Sequence, residues 1–268
     1  MQYLLCFLFF HQTFKRVSTV SVFSCQIKNL TNEDLGDLKD VGVSYSHHPS
    51  EILLLRDENN FLSLQCQSLS HIKPISIDFC SGRSIYKRNT LQSKNQNLAK
   101  AVQLQNQGDT LLDLTAGFGD DALLFASMGF QVLALERNPL MYLLLKDALK
   151  RFQVFDSSDD IVVNQRLKFE FSDAKSFLSL QKEEGFDCIY YDPMFPETKK
   201  SALSSGRLQV LQFLTQDLPD VETGLVNLAL CVAHRRVVVK RPLKAPELHL
   251  PVTHSYRGQS IRFDMYKI

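Results

Sequence analysis

Two hydrophobic patterns divide the chain near residue 80. In the first part, short apolar runs alternate with polar connectors, which is typical of short strands. A short helix is predicted at 32–39, because Thr31 precedes it as an N-cap and Asp34 follows three residues later. We therefore expect a small N-terminal α+β subdomain over residues 1–80. The strands predicted within it are 20–23, 51–55 and 61–64.

From residue 99 onward, apolar runs of strand length alternate with segments of helical pattern. One helix should begin at Pro139, which suits a first turn, with Asn138 as its N-cap. Repeated strand–helix units with apolar strands predict a parallel sheet covered on both faces. The polar and basic residues 81–97 are predicted to form the loop that opens this second domain, 81–268. Its predicted strands are 110–114, 131–135, 167–171, 186–191, 236–240 and 260–266, with helices at 121–128 and 139–152.

Composition narrows the choice of function. The 268 residues include 44% hydrophobic and 22% charged residues, and the formal net charge of +1 gives no overall attraction to nucleic acid or membrane. The six cysteines form no CxxC pair, which argues against a metal site and favours reduced thiols in a cytoplasmic protein. The apolar run 3–10 precedes Lys15 and Arg16 and is too short to span a bilayer, so neither export nor membrane anchoring is expected.

Candidate ligand-binding residues stand where successive predicted strands end. In open α/β sheets, ligands bind at the carboxyl edge, near the point where strand order reverses. One strand-ending carboxylate is more often a solvated surface group, but four such features in order are harder to dismiss. They are the Gly117–Gly119 turn, Glu136, Asp173 and Asp192.

The glycine turn is compatible with two cofactors. Gly117 and Gly119, followed by Ala122, fit the GxGxxA pattern of nicotinamide-dependent oxidoreductases. The helix that follows begins with Asp120 and Asp121, which would repel a pyrophosphate at a site that favours negative charge. S-adenosylmethionine carries an ammonium and a sulfonium instead, so these acids favour it. The simpler alternative is that both acids only complement the helix dipole.

The acids at the next two strand ends complete the predicted cofactor site. The carboxylate of Glu136 offers two acceptor oxygens for both ribose hydroxyls. Arg137 is adjacent and would orient Glu136 or line the pocket, and Asp173 would reach the adenine amino group.

The most specific signal is Asp192-Pro193-Met194-Phe195, which has the form of the (Asp/Asn)-Pro-Pro-(Tyr/Phe) motif of methyltransferases that act on exocyclic amines of nucleobases. Such an amine is a poor nucleophile, because its lone pair is delocalised into the ring. Asp192 and the Pro193 carbonyl can accept its two hydrogens, and Phe195 can stack on a flipped-out base. The alternative is a proline-rich strand exit with a buried phenylalanine.

Basic residues flank this motif on both sides, and grouping of this kind favours contact with RNA phosphates over a merely solvated face. Lys240 and Arg241 end a predicted strand and are expected to face the same cleft. The predicted RNA-binding residues are Arg83, Lys87, Arg88, Lys199, Lys200 and Arg207, with Lys94 as a further member of the patch.

Taken together, these segments resemble the bacterial ribosomal RNA small subunit methyltransferase J family, from about residue 41 to the C-terminus. The matching segments are 113–119, 135–139, 191–196 with 200–203, and 237–242, and residues 77–102 also look similar. The family usually has Arg-Asp after the glycine turn, where this chain has Asp120-Asp121, and Gly-Arg-Gly-Glu where it has 93–96.

The resemblance implies a class I methyltransferase fold of Rossmann type, with a mostly parallel sheet and an antiparallel strand at the C-terminus. It implies transfer of a methyl group from S-adenosylmethionine to the N2 amino group of a guanosine in 16S rRNA, alone or in the small ribosomal subunit. Cofactor-binding positions carry over to Asp120, Asp121, Glu136, Arg137, Asp173, Ala174 and Asp192. Alternatives are an adenine-N6 methyltransferase, a nicotinamide-dependent oxidoreductase and a non-catalytic RNA-binding protein.

Overall fold

The computed structural model describes residues 23–81, 96–154, 158–181, 185–193, 205–215 and 222–268. They form a four-stranded sheet and a seven-stranded sheet. The elements are β1 (Ser24–Lys28), α1 (Asn32–Asp40), β2 (Ser44–Ser46), β3 (Ile52–Arg56), β4 (Leu62–Cys66), α2 (Gln96–Val102), β5 (Thr110–Asp113), α3 (Asp120–Met128), β6 (Gln131–Glu136), α4 (Pro139–Gln153), α5 (Ser158–Gln165), β7 (Leu167–Phe171), α6 (Ala174–Ser179), β8 (Phe186–Tyr191), α7 (Gly206–Thr215), α8 (Glu222–Val232), β9 (Ala233–Pro242), β10 (His254–Arg257) and β11 (Ile261–Lys267).

The N-terminal sheet has the order β2-β1-β3-β4, with β1 parallel to both neighbours and β3 antiparallel to β4. The predicted helix is confirmed with its capping box: Thr31 Oγ1 accepts from the Asp34 amide at 3.2 Å, and Asp34 Oδ2 accepts from the Thr31 amide at 2.8 Å. The short strand β2 was not predicted, and of the strand predicted at 20–23 only Phe23 lies within the described residues.

The large sheet has the order β10-β11-β9-β8-β5-β6-β7, and its five strands β5 to β9 are parallel. The strand β11 is antiparallel to β9, and β10 is antiparallel to β11. This confirms the expected mostly parallel sheet with an antiparallel C-terminal strand, although β10 was not predicted. Strand order reverses at β5, which lies between β6 and β8, so their carboxyl ends form the crevice where such sheets bind ligands.

Buried apolar residues form one cluster on each face of the large sheet. The first cluster includes helices α2, α3 and α4 and continues into the N-terminal sheet, where Leu54 and Leu64 are fully buried. The second includes α6 and α8. Because the first cluster is shared, the N-terminal sheet is packed against the same face that carries the glycine turn. The division at residues 80 and 81 stays a prediction.

Three smaller findings bear on the sequence analysis. Within the described residues, no helix has the length and apolar character needed to cross a membrane. The helix α2 begins at Gln96, so the last two residues of the predicted loop 81–97 are helical instead. Residues 82–95 of that loop lie outside the described residues. Within the described residues, no disulfide joins any of the cysteines Cys25, Cys66, Cys80, Cys188 and Cys231.

Candidate functional site

The glycine turn between β5 and α3 requires glycine for conformational and steric reasons. Gly117 and Gly119 have φ of 53° and 76°, in the left-handed region that residues with a side chain rarely adopt. A Cβ atom on Gly119 would lie 2.8 Å from Leu145 Cδ2, 2.9 Å from Phe79 Cζ and 3.0 Å from Phe169 Cζ. The turn is therefore packed tightly from below, and its backbone amides are held at the carboxyl edge of the sheet.

The carboxylate of Glu136, at the end of β6, is held by backbone amides. Oε1 accepts from the amide of Asn138 at 2.8 Å, and Oε2 accepts from that of Gly117 at 3.0 Å. Burial raises the pKa of Glu136 to about 7, although these amides and the neighbouring Arg137 oppose the rise. The amide of Arg137 is a third backbone donor to this carboxylate. Two carboxylate oxygens offer about four acceptor sites, so some acceptor capacity remains.

Asp113, the last residue of β5, is a fully buried carboxyl group at the same edge. Oδ1 accepts from the Thr115 amide at 2.9 Å, whereas Oδ2 has no hydrogen-bond partner within the described part of the chain. Burial, together with the nearby carboxylates of Asp121 and Asp192, raises the pKa of Asp113 to about 8. Asp113 was not predicted as a site residue, although it too is an acid at the end of a strand.

Asp192 directly follows the last residue of β8, the strand that pairs with β5. Its amide donates to Thr115 Oγ1 at 2.9 Å, and its Oδ2 accepts from Lys240 Nζ at 2.7 Å. Burial raises the pKa of Asp192, and the charge of Lys240 opposes this rise. The next residue, Pro193, is buried. The backbone and the side chain of Asp192 are thus both fixed by neighbouring elements.

Lys240 on β9 connects Asp192 with the first turn of α3. Its Nζ lies 3.3 Å from Asp121 Oδ2, and the same oxygen accepts from the Tyr190 hydroxyl at 2.8 Å. The expectation that Lys240 faces the cleft agrees with these contacts. The corresponding expectation for Arg241 is wrong, because successive residues of a strand point to opposite faces and Arg241 is buried at 3% exposure.

The two acids after the glycine turn point to different partners. Asp120 Oδ2 lies 4.0 Å from Arg207 Nη1, and the Arg207 guanidinium lies 4.1 Å from the centre of the Phe118 ring. Arg207 is on α7, which also approaches Gly117 through Leu211. The helix that follows the Asp192 motif therefore packs against the glycine turn. This contact was not predicted from the sequence.

Asp173 has a local role at the end of β7. Its Oδ1 accepts from the Ser176 amide at 2.8 Å and so caps α6, while Ala174 begins that helix and is buried. The side chain of Asp173 is exposed, and its predicted contact with adenine stays a prediction. An N-cap could have been predicted from the sequence here, because aspartate is one of the residues preferred directly before the first turn of a helix.

The structure brings together the glycine turn with Glu136, and Asp121 with Lys240 and Asp192. No group of three or more His, Cys, Asp or Glu suited to hold a metal ion occurs in the described ranges. Several predicted site residues lie outside the described residues: Phe195, Arg83, Lys87, Arg88, Lys199 and Lys200, together with Lys94.

The chain is similar to known methyltransferases. The family model for S-adenosylmethionine-dependent methyltransferases matches residues 39–268. The chain is 43% identical over 197 residues to the ribosomal RNA small subunit methyltransferase J of Hydrogenovibrio crunogenus, covering 73% of this chain and 70% of the relative. For the protein of the same name from Coxiella burnetii, identity is 40% over 195 residues, covering 72% and 74%.

A solved structure supports the fold. The crystal structure of an S-adenosylmethionine-dependent methyltransferase from Neisseria gonorrhoeae superimposes with a TM-score of 0.68 at 24% identity, covering 91% of this chain and 95% of that one. The structural similarity shows the fold, whereas the length and identity of the sequence matches show the family. The chain belongs to the ribosomal RNA small subunit methyltransferase J family of S-adenosylmethionine-dependent methyltransferases.

Proposed function

We propose that this chain methylates the exocyclic N2 amino group of a guanosine in 16S rRNA of the small ribosomal subunit, in the cytoplasm. The curated relatives are named for small-subunit ribosomal RNA, which supports the substrate class. The observation that carries the proposal is the placement of Asp192 at the carboxyl edge of the sheet. Its carboxylate is fixed by Lys240 there, directly before the buried Pro193.

The residues at this edge fit S-adenosylmethionine. Oδ2 of Asp113 is buried without a hydrogen-bond partner in the described residues, and Glu136 keeps acceptor capacity for hydroxyl groups. An ammonium and ribose hydroxyls are donors that such acids can bind, whereas a pyrophosphate would be repelled. In our proposal the cofactor is held by Gly117, Gly119, Asp120, Asp121, Glu136, Arg137, Asp173, Ala174 and Asp192.

S-adenosylmethionine, when bound, supplies an electrophilic methyl group on a sulfonium. The chain's own contribution is to hold the amine. The Asp192 carboxylate accepts one N–H and the Pro193 carbonyl accepts the other, which localises the lone pair towards the methyl group, while Phe195 stacks on the flipped-out base. Most of the rate acceleration then comes from alignment of the two reactants rather than from acid–base catalysis.

RNA binding is proposed to involve the basic residues on both sides of the motif. Arg207 is the only member of that set within the described residues, and its stacking on Phe118 places a cation beside the glycine turn. Phosphate contacts would make RNA affinity fall with increasing salt. The other members are Arg83, Lys87, Arg88, Lys199 and Lys200.

The decisive experiment identifies the product. The protein is incubated with labelled S-adenosylmethionine and small subunits that lack the modification, and the RNA is digested to nucleosides. Labelled N2-methylguanosine is expected. Labelled N6-methyladenosine would replace the guanine assignment with the adenine alternative, and absence of label from RNA would contradict RNA methylation altogether.

A second experiment tests Asp192. The Asp192→Ala variant should lose methyl transfer by at least about 100-fold, because a methyl group cannot accept the amine hydrogen as a carboxylate does. Asp187→Asn removes a carboxylate from the other end of the same strand and should retain activity. A wild-type rate for Asp192→Ala would show that the residue has no catalytic part.

A further inference from the structure

We infer that Lys240 is a positioning residue for methyl transfer: its ammonium, anchored by Asp121, fixes one oxygen of Asp192 and leaves the other for the substrate amine. This inference rests on the function proposed for Asp192. It concerns a strand that lies outside the glycine turn and outside the Asp192 motif.

The strand register brings Lys240 to this place. The strand β9 is parallel to β8, with Tyr191 paired to Val239, so Lys240 on β9 lies beside Asp192 as the chain leaves β8. Its Nζ donates to Asp192 Oδ2 at 2.7 Å. The side chain of Lys240 is 26% exposed and that of Asp192 is 33% exposed, so the pair lies at the edge of the cleft rather than in the core.

The lysine is held from its other side. Asp121 Oδ2 lies 3.3 Å from Nζ and also accepts from the hydroxyl of Tyr190, which is fully buried. Tyr190 therefore fixes Asp121, Asp121 fixes Lys240, and Lys240 fixes Asp192. A flexible lysine gains a defined position from this series of contacts, which connects the first turn of α3 with the exit of β8.

The geometry assigns different tasks to the two oxygens of Asp192. Oδ2 is occupied by Lys240, and the Asp192 amide is anchored on Thr115 Oγ1 at 2.9 Å. Within the described ranges, which omit 194–204, Oδ1 accepts no hydrogen bond. That oxygen is the one left to accept a hydrogen from the amine.

Charge gives Lys240 a second effect on the same carboxylate. The titratable groups around the ammonium of Lys240 are the carboxyl groups of Asp113, Asp121 and Asp192 and the hydroxyl of Tyr190. Burial raises the pKa of Asp192, Asp121 raises it further, and Lys240 lowers it. Burial alone would lower the pKa of Lys240, but Asp121 and Asp192 hold it above its ordinary value, so the lysine stays charged at neutral pH.

Loss of the lysine should therefore change how activity depends on pH. Without its charge, Asp192 would titrate at higher pH, because burial and the carboxylate of Asp121 both raise its pKa. Loss of an opposite charge at this distance raises the pKa of a carboxyl group, and partial exposure of the pair moderates the rise. A lysine with no influence on Asp192 would leave the pH dependence of the chemical step unchanged.

The experiment measures single-turnover methyl transfer against pH, at saturating S-adenosylmethionine and RNA, for wild type, Lys240→Met and Lys240→Arg. The acid limb is the pH range in which the rate falls as Asp192 becomes protonated. We expect the acid limb of Lys240→Met to lie about one pH unit higher than that of wild type, with partial recovery of the rate at high pH. Lys240→Arg keeps the charge and should keep the wild-type limb. A limb that does not move in Lys240→Met, or an equal loss at every pH, would overturn the inference.

Two further variants make the outcome unambiguous. Asp121→Asn removes a negative charge beside Asp192, so its acid limb should move to lower pH, and this variant supplies the test if Lys240→Met does not fold. Asp192→Ala should be inactive at every pH. If Asp192→Ala is active, the function proposed for Asp192 fails; if it is inactive and the limbs of the other variants do not move, only the inference about Lys240 fails.

Discussion

The amide of Gly117 donates a 3.0 Å hydrogen bond to Oε2 of Glu136 and so joins the glycine turn to the end of the next strand. The other oxygen of Glu136 accepts from the Asn138 amide at the start of α4. One buried carboxylate thus orders two loops at the switch point of the sheet. Its ionisation state determines what the turn can bind, because only the ionised form offers both oxygens as acceptors.

We predict that affinity for S-adenosylmethionine falls as pH falls through about 7. Burial raises the pKa of Glu136 to about 7, so the carboxylate is mostly ionised at pH 8 and mostly protonated at pH 6. Ribose hydroxyls require the ionised form, so the dissociation constant should rise by up to about tenfold per pH unit below 7. Calorimetry at pH 6, 7 and 8 measures this, and a constant affinity over that range would contradict it.

The matched variant is Glu136→Gln, which keeps the shape of the side chain and removes its charge. Hydrogen bonds to a charged group contribute about 1.5–3 kcal/mol, so affinity at pH 8 should fall by roughly 10- to 100-fold. The remaining affinity should show little dependence on pH in this range. If the variant binds as tightly as wild type, Glu136 does not contact the cofactor.

Local signals explain which parts of the fold could be predicted from the sequence. Thr31 with Asp34, and Asn138 with Pro139, are caps read within four residues, and both helices begin where predicted. The parallel strands were recognisable because burial on both faces makes them continuously apolar. The strand β10 carries no such signal, since its residues His254–Arg257 are mostly polar and only partly buried.

Contacts distant in sequence explain what could not be predicted. The pairing of Lys240 with Asp192 depends on β9 lying next to β8, and 48 positions separate the two residues. Asp173 shows a different limit: an aspartate after a strand can cap a helix or bind a ligand, and the sequence alone does not separate the two. The contact of Arg207 with Phe118 likewise depends on where α7 packs.

We predict that Gly119→Ala destabilises the protein. Gly119 has a φ of 76°, and an added Cβ would lie 2.8 Å from Leu145 Cδ2 and 2.9 Å from Phe79 Cζ. Backbone strain and overpacking together should lower the free energy of unfolding by about 1–3 kcal/mol. Urea unfolding measures the change, and unaltered stability would mean that the turn can move away from these side chains.

The control for this substitution is Gly36→Ala. Gly36 lies within α1, and an added Cβ there would meet nothing within 4 Å. Alanine in place of glycine inside a helix should raise the free energy of unfolding by about 0.5–1 kcal/mol. The opposite signs expected for the two alanine substitutions separate the effect of the turn from the general effect of adding a methyl group.

We predict a large loss of stability for Arg56→Met, because Arg56 joins the N-terminal sheet to α4. Its guanidinium binds Asp34 Oδ1 at 2.5 Å and also binds Asp147, and the side chains of both acids are 6% exposed. Removing the cation leaves two nearly buried carboxylates without it, which should cost about 3–5 kcal/mol. The matched control is Lys150→Met, whose partner Glu33 is 62% exposed, and that loss should stay below about 1 kcal/mol.

The dependence of stability on pH gives an independent check on Arg56. Burial raises the pKa of Asp34, but hydrogen bonds from Arg56 and Thr31 outweigh burial and hold the pKa below its ordinary value. A carboxyl whose pKa is lowered by folding stabilises the protein above its unfolded pKa, near 4, and this contribution is lost as pH falls through the folded value. Urea unfolding between pH 7 and 3 should therefore show a shallower acid loss in Arg56→Met than in wild type. Equal acid dependence in the two proteins would mean that the ion pair does not set the pKa of Asp34.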